Sequence, residues 1–132
     1  KLSIRAKECF PPLPVRFNPE LECYRRISEL FDESGEHPAT ELLACAQAVK
    51  DATMAYFISK NWSPGKTFLH FNGTYHTDNF EGIAWYLQEE NPGLKILTIS
   101  SVIVEDPDKP QEDSIESADY ILCIPQRMTR TY

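Results

Sequence analysis

An apolar run at 67–71 (TFLHF), a helical pattern over about 79–90 and a second apolar run at 95–104 (KILTISSVIV) follow one another in the chain. This strand–helix–strand spacing constrains the fold more than any other feature. Strands joined through a helix pair in parallel by a right-handed crossover. A further run, YILCI at 120–124, supplies a third strand. The last two runs lack the alternation of a half-solvated strand and read as buried on both faces, as parallel strands are. The expected class is α/β: a small parallel sheet of about three strands with flanking helices. Three strands are few for such a sheet, so the chain is expected to belong to a larger α/β architecture.

Upstream of this unit the pattern is helical. Residues 1–19 carry Pro11, Pro12, Pro14 and Pro19 and read as an extended lead-in rather than a helix. Asn18 as N-cap and Pro19 at the first helical position would start a helix running to about Phe31. Its inner face would be Leu21, Tyr24, Ile27, Ser28 and Phe31. After a turn at Gly35 and Pro38, the segment TELLACAQAVKDATMAYFISK at 40–60 is the strongest helix, with Thr40 as cap. Leu42, Leu43, Ala46, Val49, Ala52 and Ala55 form its expected apolar face, and the small residues permit close packing. Gln47, Asp51 and Met54 share another face by i, i+4, i+7 spacing, and there Gln47 and Asp51 read as a solvated stripe. The division is one α/β domain or domain fragment over 1–132, with 20–60 helical and 67–124 a β-α-β unit plus a third strand.

The 132 residues suffice for one core, and a hydrophobic fraction of 42% is ordinary. The net charge of −7 argues against nucleic acid as a partner, because phosphate binding needs a basic stripe. No run of about 18 apolar residues is present to span a membrane. The chain opens at Lys1 without a signal-like segment and is expected to be a processed product or a piece of a longer protein. Cys9, Cys23, Cys45 and Cys123 make no CxxC pair, which removes zinc-ribbon and thioredoxin readings. Cys45 and Cys123 fall in apolar patterns, where buried thiols are common, and Cys9 and Cys23 could pair in an oxidising compartment. The PGKT at 64–67 has the look of a phosphate-loop tail. It precedes a strand and lacks the upstream glycine, so it reads as a plain turn.

Chemistry concentrates in HFNGTYHTDNFEG at 70–82, where the first strand leaves its carboxyl end and enters a helix. Open α/β sheets bind ligands at that edge. Gly73 would permit a tight turn. The helix N-terminus would offer free N–H groups to an anion. Tyr75 and His76 would project from the loop, and phenolate and imidazole both ligate iron. Asn72, Thr77 and Asp78 serve equally well as turn and capping residues, with Glu81 completing a capping box from Asp78. His70, inside the strand, reads as a core or sheet-edge residue, and His37 as an exposed loop residue. Phe80, Ile83, Ala84 and Leu87 would form the inner face of the following helix. Trp85 and Tyr86 on that helix offer stacking surface, with at least one of them ordinary packing.

The segments QAVKDATMAYFI, KTFLHFNGTYHTDNFEGIAWYL and LKILTISSV resemble the carboxyl-terminal half of the ChaN-like family of iron-regulated, haem-binding lipoproteins. The pattern Q-x-x-x-D-x-x-M-A at Gln47, Asp51, Met54 and Ala55 and the N-G-x-x-H turn at Asn72, Gly73 and His76 carry the resemblance, over roughly 40–124. Gly73-x-x-His76 also resembles the signature of the wider Tiki and erythromycin-esterase-like superfamily, which includes metal-dependent hydrolases. The family's usual upstream half, opening with a strand and a Glu/His-rich motif, has no counterpart here. The resemblance implies a haem-binding protein of the bacterial envelope serving iron acquisition, a binding protein more than an enzyme. It implies a location in the periplasm or at the outer membrane through a lipid anchor absent from this chain, and a homodimer enclosing stacked haems. Tyr75 and His76 would stand at the iron, with Asn72, Gly73, Asp78, Gln47 and Asp51 around the cofactor. Propionates would need local partners such as a helix N-terminus, Arg127 or Arg130. Two other readings stay open. One is a metal-dependent hydrolase, for which Asp51 and Asp78 are the acidic candidates beside His76. The other is an interaction domain with no site of its own.

Overall fold

The computed structural model describes residues 3–32, 40–109 and 116–129. It contains four α-helices, α1 (Ile4–Lys7), α2 (Glu22–Asp32), α3 (Thr40–Asn61) and α4 (Ile83–Glu90), and two strands, β1 (Ile99–Val104) and β2 (Tyr120–Pro125). Two 3-10 turns, Thr74–His76 and Asp78–Phe80, precede α4. The class is α/β: helices beside a small parallel sheet.

The lead-in is not wholly extended. Ser3 accepts a hydrogen bond from Ala6 N and caps the single turn α1. Asn18 does not cap α2 directly; its side chain accepts from Glu20 N in a local turn, and the helix starts at Glu22. Leu21, Tyr24 and Ile27 turn inward as expected, with Cys23 buried beside them. The side chains of Ser28, Phe31 and Thr40, and His37, Gly35, Pro38 and Arg130 altogether, lie outside the described residues.

On α3 the buried stripe is Ala44, Ala48, Asp51, Ala52, Ala55 and Ile58, rotated from the expected one. Leu42 and Leu43 are exposed, and so is Ala46. The rotation follows from size: α2 and α4 both pack on α3, and close approach selects the alanine face over the leucine face. Fully burying a large side chain such as Tyr24 or Ile83 contributes roughly 1.5–3 kcal/mol. The alanines contribute little transfer energy themselves and act by letting those side chains close in.

The helix ends in Ser63–Lys66, a turn closed by Lys66 N donating to Ser63 O, with Pro64 at its second position and Gly65 at φ +80°. This is the plain turn expected of PGKT.

The sheet has two strands, not three. β1 and β2 pair in parallel with Ile99 opposite Tyr120 and Val104 opposite Pro125. Asp119 clamps the start of the pair, accepting from Thr98 N at 2.7 Å and from its hydroxyl at 3.0 Å. Residues 67–71 form no ladder; they stand across a groove from 94–99. The residues between explain this. The segment 74–82 is spent on tight 3-10 turns and three positive-φ residues, Asn79, Phe80 and Gly82. The crossover helix is thereby cut to eight residues, and neither Thr77 nor Asp78 caps it. Phe80 is exposed rather than inward, while Ile83, Ala84, Tyr86 and Leu87 are buried. Nor are the strands buried on both faces: Ile99, Ile103, Tyr120 and Leu122 are exposed. Of the acidic stretch EDPDKPQEDSIES at 105–117, expected from its charge to be a solvated excursion, residues 105–109 and Glu116 are exposed and Ser117 is half-buried.

The four cysteines are free thiols, with Cys9 exposed and Cys23 buried, so the pair conceivable from sequence is not formed. Cys45 and Cys123 are half-buried.

A buried carboxylate at the helix junction

The functional constellation is built where α2, α3 and the 74–82 turn meet. Asp51, from the middle of α3, is 0% exposed. The solvated-stripe reading therefore fails for it, because the stripe lies under the turn. One carboxylate oxygen, Oδ2, accepts from the Tyr24 hydroxyl of α2 at 2.8 Å, and Oδ1 is hydrogen-bonded to His76 Nδ1. Gln47, one helical turn before Asp51, places its amide 2.9 Å from the same Nδ1 and 3.4 Å from Nε2.

The chemistry of the donors fixes the tautomer. A carboxylate that accepts from Tyr24 and faces Nδ1 calls for a proton on Nδ1. A neutral His76 then carries its lone pair on Nε2, the atom that binds a metal or takes a proton. Burial raises the Asp51 carboxyl above its usual range, opposed by its bonds to His76 and Tyr24. The Tyr24 phenol is pushed up first by burial and then by Asp51, so it stays a donor. Burial, with Glu81 beside it, takes the Cys23 thiol to about 12, which leaves it inert as a nucleophile.

The remaining candidates separate. Tyr75 is 49% exposed at the surface of the first 3-10 turn, with its phenol available to a ligand. Asn72 is used within the turn, donating to Gly73 O at 2.8 Å and to the Thr77 hydroxyl at 3.1 Å. Gly73 is ordinary extended backbone at φ −70°, and an added Cβ would meet nothing within 4 Å; it is not the glycine the turn requires. Asp78 points toward the sheet and accepts from the Ser100 hydroxyl at 3.4 Å, and burial raises its carboxyl. His70 is exposed, not core; partial desolvation and then the neighbouring His76 hold its imidazole below the usual range. Trp85 lies under the Arg16 guanidinium, 5.2 Å from its centroid, and the Tyr86 hydroxyl donates to Arg16 O, so both serve packing. Arg127 is exposed in the tail after β2, and no described contact joins it to this junction. Among the described residues no three His, Cys, Asp or Glu side chains group to hold a metal ion.

Three residues of the junction carried no functional signal in sequence, or carried a misleading one. Tyr24 looks like any aromatic on an apolar face. Glu81 resembles a local capping residue, yet its two oxygens accept from Glu22 N and Cys23 N of α2, at 3.0 and 2.7 Å. Gly82, at φ +54°, is the required glycine: a Cβ there would lie 2.4 Å from His76 O and 3.2 Å from Asp51 Oδ2. Its place just before an apolar helical run was the available clue.

A family model described as haem-binding uptake, Tiki superfamily, ChaN, matches residues 1–87. The matched span takes in α2, α3, the whole 70–82 turn and the start of α4, and stops before β1. No match to the chain was found among curated proteins or among solved structures. Tyr24, Gln47, Asp51, His76 and Gly82 all fall within the matched residues, and the chain belongs to the ChaN family of haem-binding uptake proteins of the Tiki superfamily.

Proposed function

We propose that this chain binds ferric haem and serves iron acquisition at the bacterial cell envelope, with Tyr75 and His76 as the groups nearest the iron. The observation that carries the reading is the Asp51–His76 pair: a buried carboxylate holding Nδ1 orients the imidazole and leaves Nε2 as its acceptor nitrogen. Tyr75, adjacent in sequence and half-exposed, adds a phenol, a hard anionic donor suited to Fe(III) when it ionises. The donor set therefore fits a haem iron. Haem, when bound, supplies a ferric centre whose potential is lowered by phenolate ligation, which suits carriage more than electron transfer. Asp51, itself held by the Tyr24 hydroxyl, does the rest of the work by fixing the tautomer and ring orientation of His76, with the Gln47 amide against the ring. A lipid anchor would tether the protein in the periplasm or at the outer membrane, and two subunits would face each other across their haems.

The Asp51–His76 pair also favours a second reading, in which Nε2 acts as general base in a hydrolase. Haemin titration of wild type, Tyr75→Phe and His76→Ala, run beside an esterase panel, separates the two. A saturable Soret change weakened in either variant supports haem binding. No Soret change in wild type, with ester hydrolysis lost in His76→Ala, replaces it with the hydrolase.

A further inference from the structure

A groove of about 610 Å³ runs between 66–72 and 93–99, floored by Ile83, Ala84 and Leu87 of α4. That volume lies within the range of small-molecule and cofactor sites, about 300–1,000 Å³. Three features distinguish it from an ordinary surface depression. Its walls are apolar, with Trp62, Phe68 and Leu97 on them, and Phe68 and Leu97 remain exposed to solvent. Lys66 and Lys95 also line it, and among the described residues neither is in an ion pair, although the chain carries a net charge of −7. His70 stands in the wall, exposed, with no described hydrogen bond to its ring. An apolar slot with two free cations and one imidazole complements a flat, apolar, metal-bearing ring with two carboxylates.

We propose that this groove seats the tetrapyrrole ring, with Lys66 and Lys95 pairing with its carboxylates and His70 standing beside the ring. The proposal rests on the haem reading and extends its site from the Tyr75–His76 surface into the groove, which reaches Asn72 and Thr77 on either side of that pair. Seating depends on the ring and its carboxylates, so the iron-free porphyrin is also a ligand.

The test is a titration of the full chain with haemin and with iron-free protoporphyrin IX, followed by quenching of Trp62 emission in a Trp85→Phe background. Expected is saturable quenching by both ligands. The double variant Lys66→Glu/Lys95→Glu should weaken binding of both at least tenfold. The control Lys7→Glu/Lys109→Glu makes the same charge change at exposed lysines away from the groove and should stay within about twofold. If the two double variants weaken binding equally, the effect is net charge and the groove proposal falls. If haemin binding depends on Tyr75 and His76 but not on the groove lysines, the groove falls and the haem reading stands. If protoporphyrin fills the groove while haemin gives no Soret shift, the groove stands and iron ligation by this chain falls. If neither ligand binds, both fall.

Discussion

Asp51 and Asp119 each hold two parts of the chain together, yet their surroundings are opposite. Asp51 is sealed among α2, α3 and the turn, and burial raises its carboxyl. Asp119 sits in the open at the mouth of the strand pair, and hydrogen bonds from the Thr98 backbone and hydroxyl lower its carboxyl. The same contrast holds for the apolar side chains of the two regions. In the helical layer Tyr24, Ile83 and the alanines of α3 are withdrawn from water; across the groove, Leu69 and Phe71 are 73% and 86% exposed. The helical layer is closed by its own residues, and every fully buried side-chain polar atom among the described residues has a partner. The strand region has the backbone pairing of a sheet without a cover for its apolar face.

If the helical layer is the closed one, its tightest point should tolerate least. Gly82→Ala forces a Cβ against His76 O at a backbone angle that favours glycine, and should cost about 4 kcal/mol, read as a shifted midpoint in urea unfolding. A loss under 1 kcal/mol would mean that the turn relaxes freely and the junction is not closed. Asp51→Ala removes the carboxylate shared by the Tyr24 hydroxyl and His76 Nδ1 and should cost about 3 kcal/mol. Tyr24→Phe removes one of those bonds and should cost about 1.5 kcal/mol. Equal losses in the two variants would assign the whole effect to the Tyr24 bond.

The two carboxylates should also give opposite pH slopes. Because the folded-state value of Asp51 is raised, its contribution is greatest below the usual value of 3.8 and is lost as pH rises through the raised value. Asp119 has a lowered folded-state value, so its contribution is present above 3.8 and is lost as pH falls through the lowered one. Asp51→Asn should remove the decline above pH 3.8, and Asp119→Asn should remove part of the decline below it, both measured as denaturation midpoint against pH. Slopes of the same sign would erase the distinction. The smallest effect belongs to the open region: Leu69→Ser should change stability by less than about 0.5 kcal/mol. A loss above about 2 kcal/mol would show that 67–71 is packed in solution and would end the contrast.

The α/β class and the parallel relation of 95–104 to 120–124 were legible because both follow from local apolar runs and connection length. The extent of α3 and the Ser63–Lys66 turn were equally local. What escaped the sequence depends on partners distant in the chain. Periodicity shows that α3 has an apolar face, but the choice between its leucine and alanine sides is made by how closely α2 and α4 approach. The Tyr24–Asp51 bond joins residues 27 positions apart, and a carboxylate in a charged-looking stripe gives no sign that a turn will cover it. The strand at 67–71 satisfied every local criterion and failed on geometry, because the tight turns after it leave it across the groove from β1. Gln47, Asp51 and His76 could be named together only from motif order, since their spacing alone is compatible with a solvated helix face.

Glu81 carries a consequence for how the chain assembles. The amide groups at the start of α2 are satisfied by a carboxylate 58 and 59 positions away rather than by a neighbouring residue. A helix of eleven residues is marginal in isolation, and the loss of its terminal partner lowers its population further. The first turn of α2 therefore matures only when the start of α4 arrives, and the two ends report on each other. Ordering becomes a long-range, all-or-none event: a peptide ending before residue 81 should show a frayed α2, whereas one extended through α4 should regain it in a single cooperative step.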